Sequence, residues 1–463
     1  MARKPRIGML GVTAHLYKKK IPEFVDDLSR HFKFLVQKCC SFAHIIPSEI
    51  SYTKDLVEKA YAQMSQSDVD GIIIVFLSYS PSLIIEPVIN FRKFPVLIWN
   101  TQQLFEITKN FSSTDMMDNH GMHGVQDLAS VLLRKDVPFT IITGHYSQKD
   151  TLKEVEQWCK CAAIRRDLKK LNIGRIGGRF KNMGDFSIPD SQMIDKMGPK
   201  IIEIKMHQLY KIADTISPND IDRVIEDENK KFHVDNDLDI ETREKSIRLE
   251  LALRTIINQY QLEALAINFM GFGNKNYTMP FAAISKFISE GVGYGGEGDV
   301  VCSTGVWILQ QMAPPAAFTE MFTTDYKNHR IFMSHMGESN LKMAKNPLKI
   351  KLVKKDMSIL KKGTSTSMFL FQMKPGYVTL FNLAPWRKKT FRMITTTGYI
   401  EDAELFHDIV SPHFLLKIET DVREFLTKYS NIGGTHHLAM VYGDVTEQIR
   451  TLASIMEFEF FKI

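Results

Sequence analysis

Along the first third of the chain, short runs of apolar residues alternate with longer stretches whose apolar positions recur every three or four residues. Runs at residues 7–12, 42–46, 71–77, 95–99 and 139–143 read as strands buried on both faces, the pattern of a parallel sheet. Stretches at 22–37, 55–64, 125–133 and 152–163 carry the spacing of amphipathic helices. The rhythm is βαβ, so a doubly wound α/β domain is predicted. Its ligand site is expected at the carboxyl ends of the strands, where residues 13–17, 78–81 and 100–103 fall.

A second α/β unit begins near residue 173, with strands expected at 173–176 and 264–269 around a long charged helical region, 220–260. Its most charged part, 227–231, reads as a solvated helix face. From about residue 330 the pattern turns to β-type runs at 348–353, 366–373, 377–383, 390–395 and 413–418, with Pro-Gly and Thr-Gly turns between them and helices expected at 422–429 and 446–456. The fold class is therefore α/β: two Rossmann-like or flavodoxin-like α/β domains followed by a C-terminal β-barrel domain. The boundaries are drawn as 1–174, 175–318 (carrying Glu297) and 319–463.

Length agrees with this division, since 463 residues exceed what one core ordinarily serves. Lys plus Arg minus Asp plus Glu is 59 − 53, or +6, and the basic clusters are short and scattered, so no nucleic-acid partner is expected. Lys18 to Lys20, Arg165–Arg166, Lys169–Lys170 and Arg387 to Lys389 read as solvated surface. Five cysteines, at 39, 40, 159, 161 and 302, form no disulfide framework and point to a reducing, cytoplasmic setting. Cys159 and Cys161 are too close, and lack a second half, for a zinc knuckle. The longest apolar run, 72–77, falls far short of the ~20 residues of a membrane span, and the N-terminus reads as a first strand rather than a leader.

Candidate chemistry lies in the second half. The glycine-rich stretch 291–299 lacks the Gly-Lys-Ser/Thr of a phosphate loop, but it ends in Glu297-Gly298-Asp299 just before a helical run, where Asp299 is placed to cap the helix. Glu320, His335 and the pair His436–His437 follow. Two carboxylates and imidazoles from strand ends or loops make a ligand set for a divalent ion of intermediate hardness, such as manganese, cobalt or iron. Neighbours on a strand face opposite ways, so only one of His436 and His437 is expected to ligate.

In order and spacing these segments resemble the L-arabinose isomerase family, within the wider L-arabinose and L-fucose isomerase group. The resemblance runs nearly the full length: His15-Leu-Tyr17, Tyr79-Ser-Pro81, Thr101-Gln102, His123-Gly124, Thr143-Gly-His145, Asn182-Met183, Gly296-Glu-Gly-Asp299, Phe318-x-Glu320, Ser334-His-Met336 and His436-His437. It implies a divalent metal, with manganese the expected ion, on Glu297, Glu320, His335 and His437. Glu297 and Glu320 then also serve as the catalytic acid and base, and Leu16, His123, Met183, Met270 and His436 fall on substrate-binding positions. It further implies a small-molecule sugar substrate and a homotrimer or homohexamer with active sites at subunit interfaces.

The resemblance lapses at several sugar-facing positions. Ala14 and His120 stand where the family has glutamines, Met270 where it has a phenylalanine, and Met321 where an acidic residue is usual. The expected activity is thus a metal-dependent aldose–ketose isomerase, an intramolecular oxidoreductase acting through an enediolate on a pentose or related sugar, with the substrate shifted by the altered pocket. The alternatives are a noncatalytic sugar-binding protein on the same fold and a metal-dependent epimerase.

Overall fold

The structure is a computed structural model that describes residues 3–272, 277, 279–358 and 363–463. The chain divides into two compact units, residues 1–167 with 450–457, and residues 168–449 with 458–463.

The first unit is built on β1 (Arg6–Val12), β2 (His44–Pro47), β3 (Gly71–Phe76), β4 (Val96–Asn100) and β5 (Thr140–Thr143), all parallel in the order β2-β1-β3-β4-β5. Period two explains why its strands read as continuous apolar runs. Ile7, Met9, Ile73, Val75, Leu97 and Trp99 enter the core on one face, and Leu10, Val12, Ile72, Ile74, Val96 and Ile98 the core on the other. The helix Pro22–Cys39 covers the first core through Leu28, Phe32 and Leu35. Two surface expectations need correction here. Arg165 and Arg166, on the helix Lys149–Leu168, are half-buried and donate to the carbonyls of Arg92 and Lys93, and of Asp68 and Val69. They close a helix onto strand ends rather than face solvent.

The second unit starts with β6 (Asn172–Ile176), β7 (Lys200–Ile204), the two-residue β8 (His233–Val234), β9 (Ala264–Ile267) and β10 (Gly293–Gly296). A parallel sheet runs β10-β9-β6-β7, so the strand order reverses between β6 and β9. The charged region is two helices, Pro218–Lys231 and Ile240–Tyr260, with β8 between them. Part of the face read as solvated is interior: Glu228 is 2% exposed and takes Arg243 and Lys286, each at 2.8 Å.

The remaining strands are β11 (Ala316–Asp325), β12 (Arg330–Ser334), β13 (Lys351–Asp356), β14 (Ser365–Leu370), β15 (Gly376–Trp386), β16 (Thr390–Ile400), β17 (His413–Ile418), β18 (His437–Tyr442) and β19 (Glu459–Lys462). Six of them close an antiparallel barrel in the order β15-β18-β11-β12-β17-β16, with β15 pairing back to β16 and β19 added beside β16. The barrel is as expected, but the runs read at 348–353 and 366–373 are not among its staves. They correspond to β13 and β14, which pair with each other, with β8 on the far side of β13, in a separate three-stranded sheet. Alternate residues Ile331 and Met333, Val378 and Leu380, and Leu438 and Met440 enter one core, which leaves the other face of β11 and β18 to carry different side chains.

Candidate active site

Strand register assembles the centre of the site. Glu320 on β11 stands directly opposite His437, the first residue of β18, and on its other side opposite Ser334, the last residue of β12. His335 follows immediately, so two imidazoles flank one carboxylate: Glu320 Oε1 lies 2.9 Å from His437 Nε2 and 3.3 Å from His335 Nε2. Phe318, on the same face of β11, packs edge-on against both rings at centroid distances of 4.7 and 5.0 Å.

The second carboxylate arrives from the turn after β10. Glu297 has φ of 59°, a left-handed conformation rare for a residue with a side chain and one that recurs at functional turns. Gly298 continues it with φ of 76°, and a Cβ there would stand 2.4 Å from the carbonyl oxygen of Gly178. The turn carries Glu297 Oε2 to 3.5 Å from His436 Nε2 and 3.6 Å from His437 Nε2. Asp299 caps the helix Val300–Met312, as expected: Oδ1 accepts from the amides of Val301 and Cys302. Its Oδ2 also pairs with His437 Nδ1 at 2.8 Å, a role that the capping reading missed. One carboxylate thereby ties the start of a helix to an imidazole of the barrel.

Glu338, fully buried, does for His335 what Asp299 does for His437, holding Nδ1 at 2.8 Å while the Gly337 amide donates to its other oxygen. Such carboxylate–imidazole pairs fix which ring nitrogen carries the proton and turn the other toward the centre. Sequence spacing held a signal for Glu338, three residues after His335, but none for its burial. Asp185 and Phe186, on the loop after β6, were not foreseen. Asp185 Oδ2 lies 2.6 Å from His436 Nδ1, and the Phe186 ring stacks on His437 at 5.0 Å.

The strand alternation behind the expectation that only one of His436 and His437 ligates does not apply to the pair. His436 precedes β18 instead of lying on it, so strand alternation does not separate the pair, and both Nε2 atoms reach Glu297.

Electrostatics follow from burial opposed by pairing. Burial lowers the His437 pKa, but Asp299 and Glu320 outweigh it and lift the ring to about 9. His436 is likewise lifted to about 10, with Asp185 and Glu297 overcoming burial. Burial raises Glu320, yet His437, His335 and His436 together hold it below its ordinary value.

Ligating atoms of Glu297, His436 and His437, and of Glu320, His335 and His437, lie within 4.8 Å of one another in each group, and His437 belongs to both. Among the described residues, Glu297 Oε2 and His437 Nε2 are buried without a hydrogen-bond partner. Unsatisfied carboxylate and imidazole atoms aimed at a common centre fit a divalent cation of intermediate hardness.

Of the remaining expected residues, Met183 is half-buried on the loop after β6 and Met270 is exposed in the turn Phe269–Phe272 after β9, the two strands between which the sheet order reverses. Leu16 and His123 belong to the first unit: Leu16 is exposed in the helix His15–Lys20, and His123 Nδ1 lies 2.6 Å from His120 Nε2.

Family models of the L-arabinose isomerase N-terminal, central and C-terminal domains match residues 4–170, 178–314 and 315–459. The chain belongs to the L-arabinose isomerase family. It is 21% identical over 456 residues to the L-arabinose isomerase of Shouchella clausii, covering 94% of this chain and 91% of that one. With the L-arabinose isomerase of a Nocardioides species it shares 22% identity over 467 residues, 97% and 91% of the two chains. With that of Acidothermus cellulolyticus it shares 26% over 269 residues, 56% and 53% of the chains. Membership of the L-arabinose isomerase family makes this chain an aldose–ketose isomerase, an intramolecular oxidoreductase.

Proposed function

We propose that this isomerase acts on a pentose or related sugar through an enediolate, with Glu297 and Glu320 as acid and base and manganese as its metal. The observation that carries the reading is that two groups of ligating atoms, Glu297–His436–His437 and Glu320–His335–His437, share His437, with Glu297 Oε2 and His437 Nε2 buried and unsatisfied. These four residues would hold the ion, which when bound supplies Lewis-acid stabilisation of negative charge on the sugar oxygens.

Aldose–ketose interconversion moves a hydrogen between C1 and C2 and a proton between O1 and O2. One glutamate removes the proton from C2 and returns it to C1, and the other handles the hydroxyl proton. Two neighbouring carboxylates serve different roles when their surroundings differ, and here they do: Glu320 sits among imidazoles on a strand, Glu297 on a left-handed turn. His436 directs Nε2 toward Glu297 and is placed to orient a sugar hydroxyl. Met183 and Met270 line the sugar pocket in this reading, and Leu16 and His123 are its positions carried from the family resemblance, to be supplied by a neighbouring subunit. Ala14, His120, Met270 and Met321 alter its hydroxyl partners, which supports a sugar other than L-arabinose.

The test is turnover across a panel of pentoses and hexoses, with and without manganese, alongside elemental analysis of the purified chain. Isomerisation of at least one sugar that depends on added manganese is expected. No turnover of any sugar, together with no bound divalent ion, would sink the proposal.

A further inference from the structure

The loop after β6 carries two consecutive residues that each grip one member of the double histidine. Asp185 Oδ2 accepts the His436 backbone N–H at 3.1 Å and faces its Nδ1 at 2.6 Å. One oxygen thus engages the main chain and the ring of the same residue, which fixes both the torsion of the side chain and the position of its proton. With Nδ1 committed to Asp185, Nε2 is the atom left for the site, and it points to Glu297 Oε2 at 3.5 Å. Phe186, buried, lies nearly parallel to the His437 ring, with an interplanar angle of 17°. His436 has little else to hold it, because its side chain is 38% exposed and it precedes the first residue of β18.

We propose that Asp185 is a positioning residue that clamps His436 in its working orientation, with Phe186 steadying His437 beside it. The role in turnover rests on the isomerase reading; the clamp itself does not. An acid on a loop of the parallel sheet thereby sets the aim of an imidazole on the barrel, and losing it lets the ring swing into solvent without emptying the core. Asp185 is itself one-third exposed, so its removal leaves no buried cavity.

The experiment compares the full chain with Asp185→Ala and Asp185→Asn. The asparagine keeps a carbonyl oxygen able to accept both bonds and removes only the charge. Amide hydrogen exchange read by mass spectrometry, without added metal, is expected to show lost protection confined to residues 432–438 in Asp185→Ala and parent-like protection in Asp185→Asn. In turnover, Asp185→Ala is expected to raise KM about tenfold, taking as guide the lower end of the loss in affinity or activity when a metal-ligating histidine loses its partner. Bound manganese should stay at the parent level, and Asp185→Asn should recover most of the KM. Unchanged exchange in Asp185→Ala, or protection lost equally in Asp185→Asn, overturns the clamp. A parent-like KM in Asp185→Ala overturns the positioning role. If the parent turns over no sugar, the isomerase reading fails and the exchange result still decides the clamp.

Discussion

Glu320 combines a flanking pair of imidazoles with a place on a rigid strand, so its replacement tests chemistry more cleanly than structure. Glu320→Gln keeps the shape and removes the charge; kcat is expected to fall by about 10²–10⁴-fold, as for loss of a general acid or base, and steady-state kinetics on the best sugar of the panel checks it. Asp299 is different because its two oxygens do two jobs. Asp299→Ala is expected to cost about 1 kcal/mol from the lost cap and to weaken manganese binding about 10–100-fold through the freed His437, read by urea unfolding and metal titration. The pH dependence carries a definite sign. His437 is lifted from 6.5 to about 9 and His436 from 6.5 to about 10, so their contribution to the metal-free fold is full below the ordinary value and is lost as pH rises through the lifted ones. Glu320, held low, contributes above its ordinary value and loses that contribution as pH falls through its lowered one. In the proposed site a divalent ion would compete with the proton on His437, so manganese affinity is expected to rise from neutral pH toward about pH 9, with protons released on binding. Calorimetric titration in buffers of different ionisation enthalpy measures both.

At the scale of elements, register and burial decide matters that pattern does not show. β11 brings Glu320 opposite His437, yet the residues are more than a hundred positions apart, and no local signal announces their pairing. The same limit explains β13 and β14. Their apolar alternation is that of any stave, but their hydrogen bonds go to each other and to β8, so they build a separate sheet. Among the helices, the charged stretch hides an interior network: Lys286 reaches Glu228 at 2.8 Å and Glu250 at 2.6 Å, and Arg243 reaches Glu228 from the other side. Charge in the sequence reads as surface because an isolated ion is costly to bury, and only pairing across the helices Pro218–Lys231, Ile240–Tyr260 and Phe281–Glu290 reverses that. Lys286→Met is expected to destabilise the chain by about 3–5 kcal/mol, because it leaves carboxylates buried with too few partners; chemical denaturation measures it.

At the scale of the whole molecule, no helix among the described residues is long and apolar enough to cross a membrane. We propose a homotrimer or homohexamer with sites shared between subunits. Sedimentation is expected to give three or six times 53.2 kDa. Mixing Glu320→Gln chains with His123→Ala chains is expected to recover activity that neither has alone, and a failure to recover it would place each site within one subunit. What the sequence determined by itself was the βαβ rhythm of the first sheet, the presence of a barrel, and which acids and histidines are candidates for the site, because strand periodicity and ordered motifs are written locally. What only the tertiary structure decided was which of those groups meet and what holds them. Asp185, Phe186 and Glu338 acquire their roles by reaching imidazoles across a loop or a buried turn, and His436 joins His437 because β18 starts one residue later than alternation assumes. Contacts of that kind depend on distances that folding sets, and a linear order of residues does not contain them.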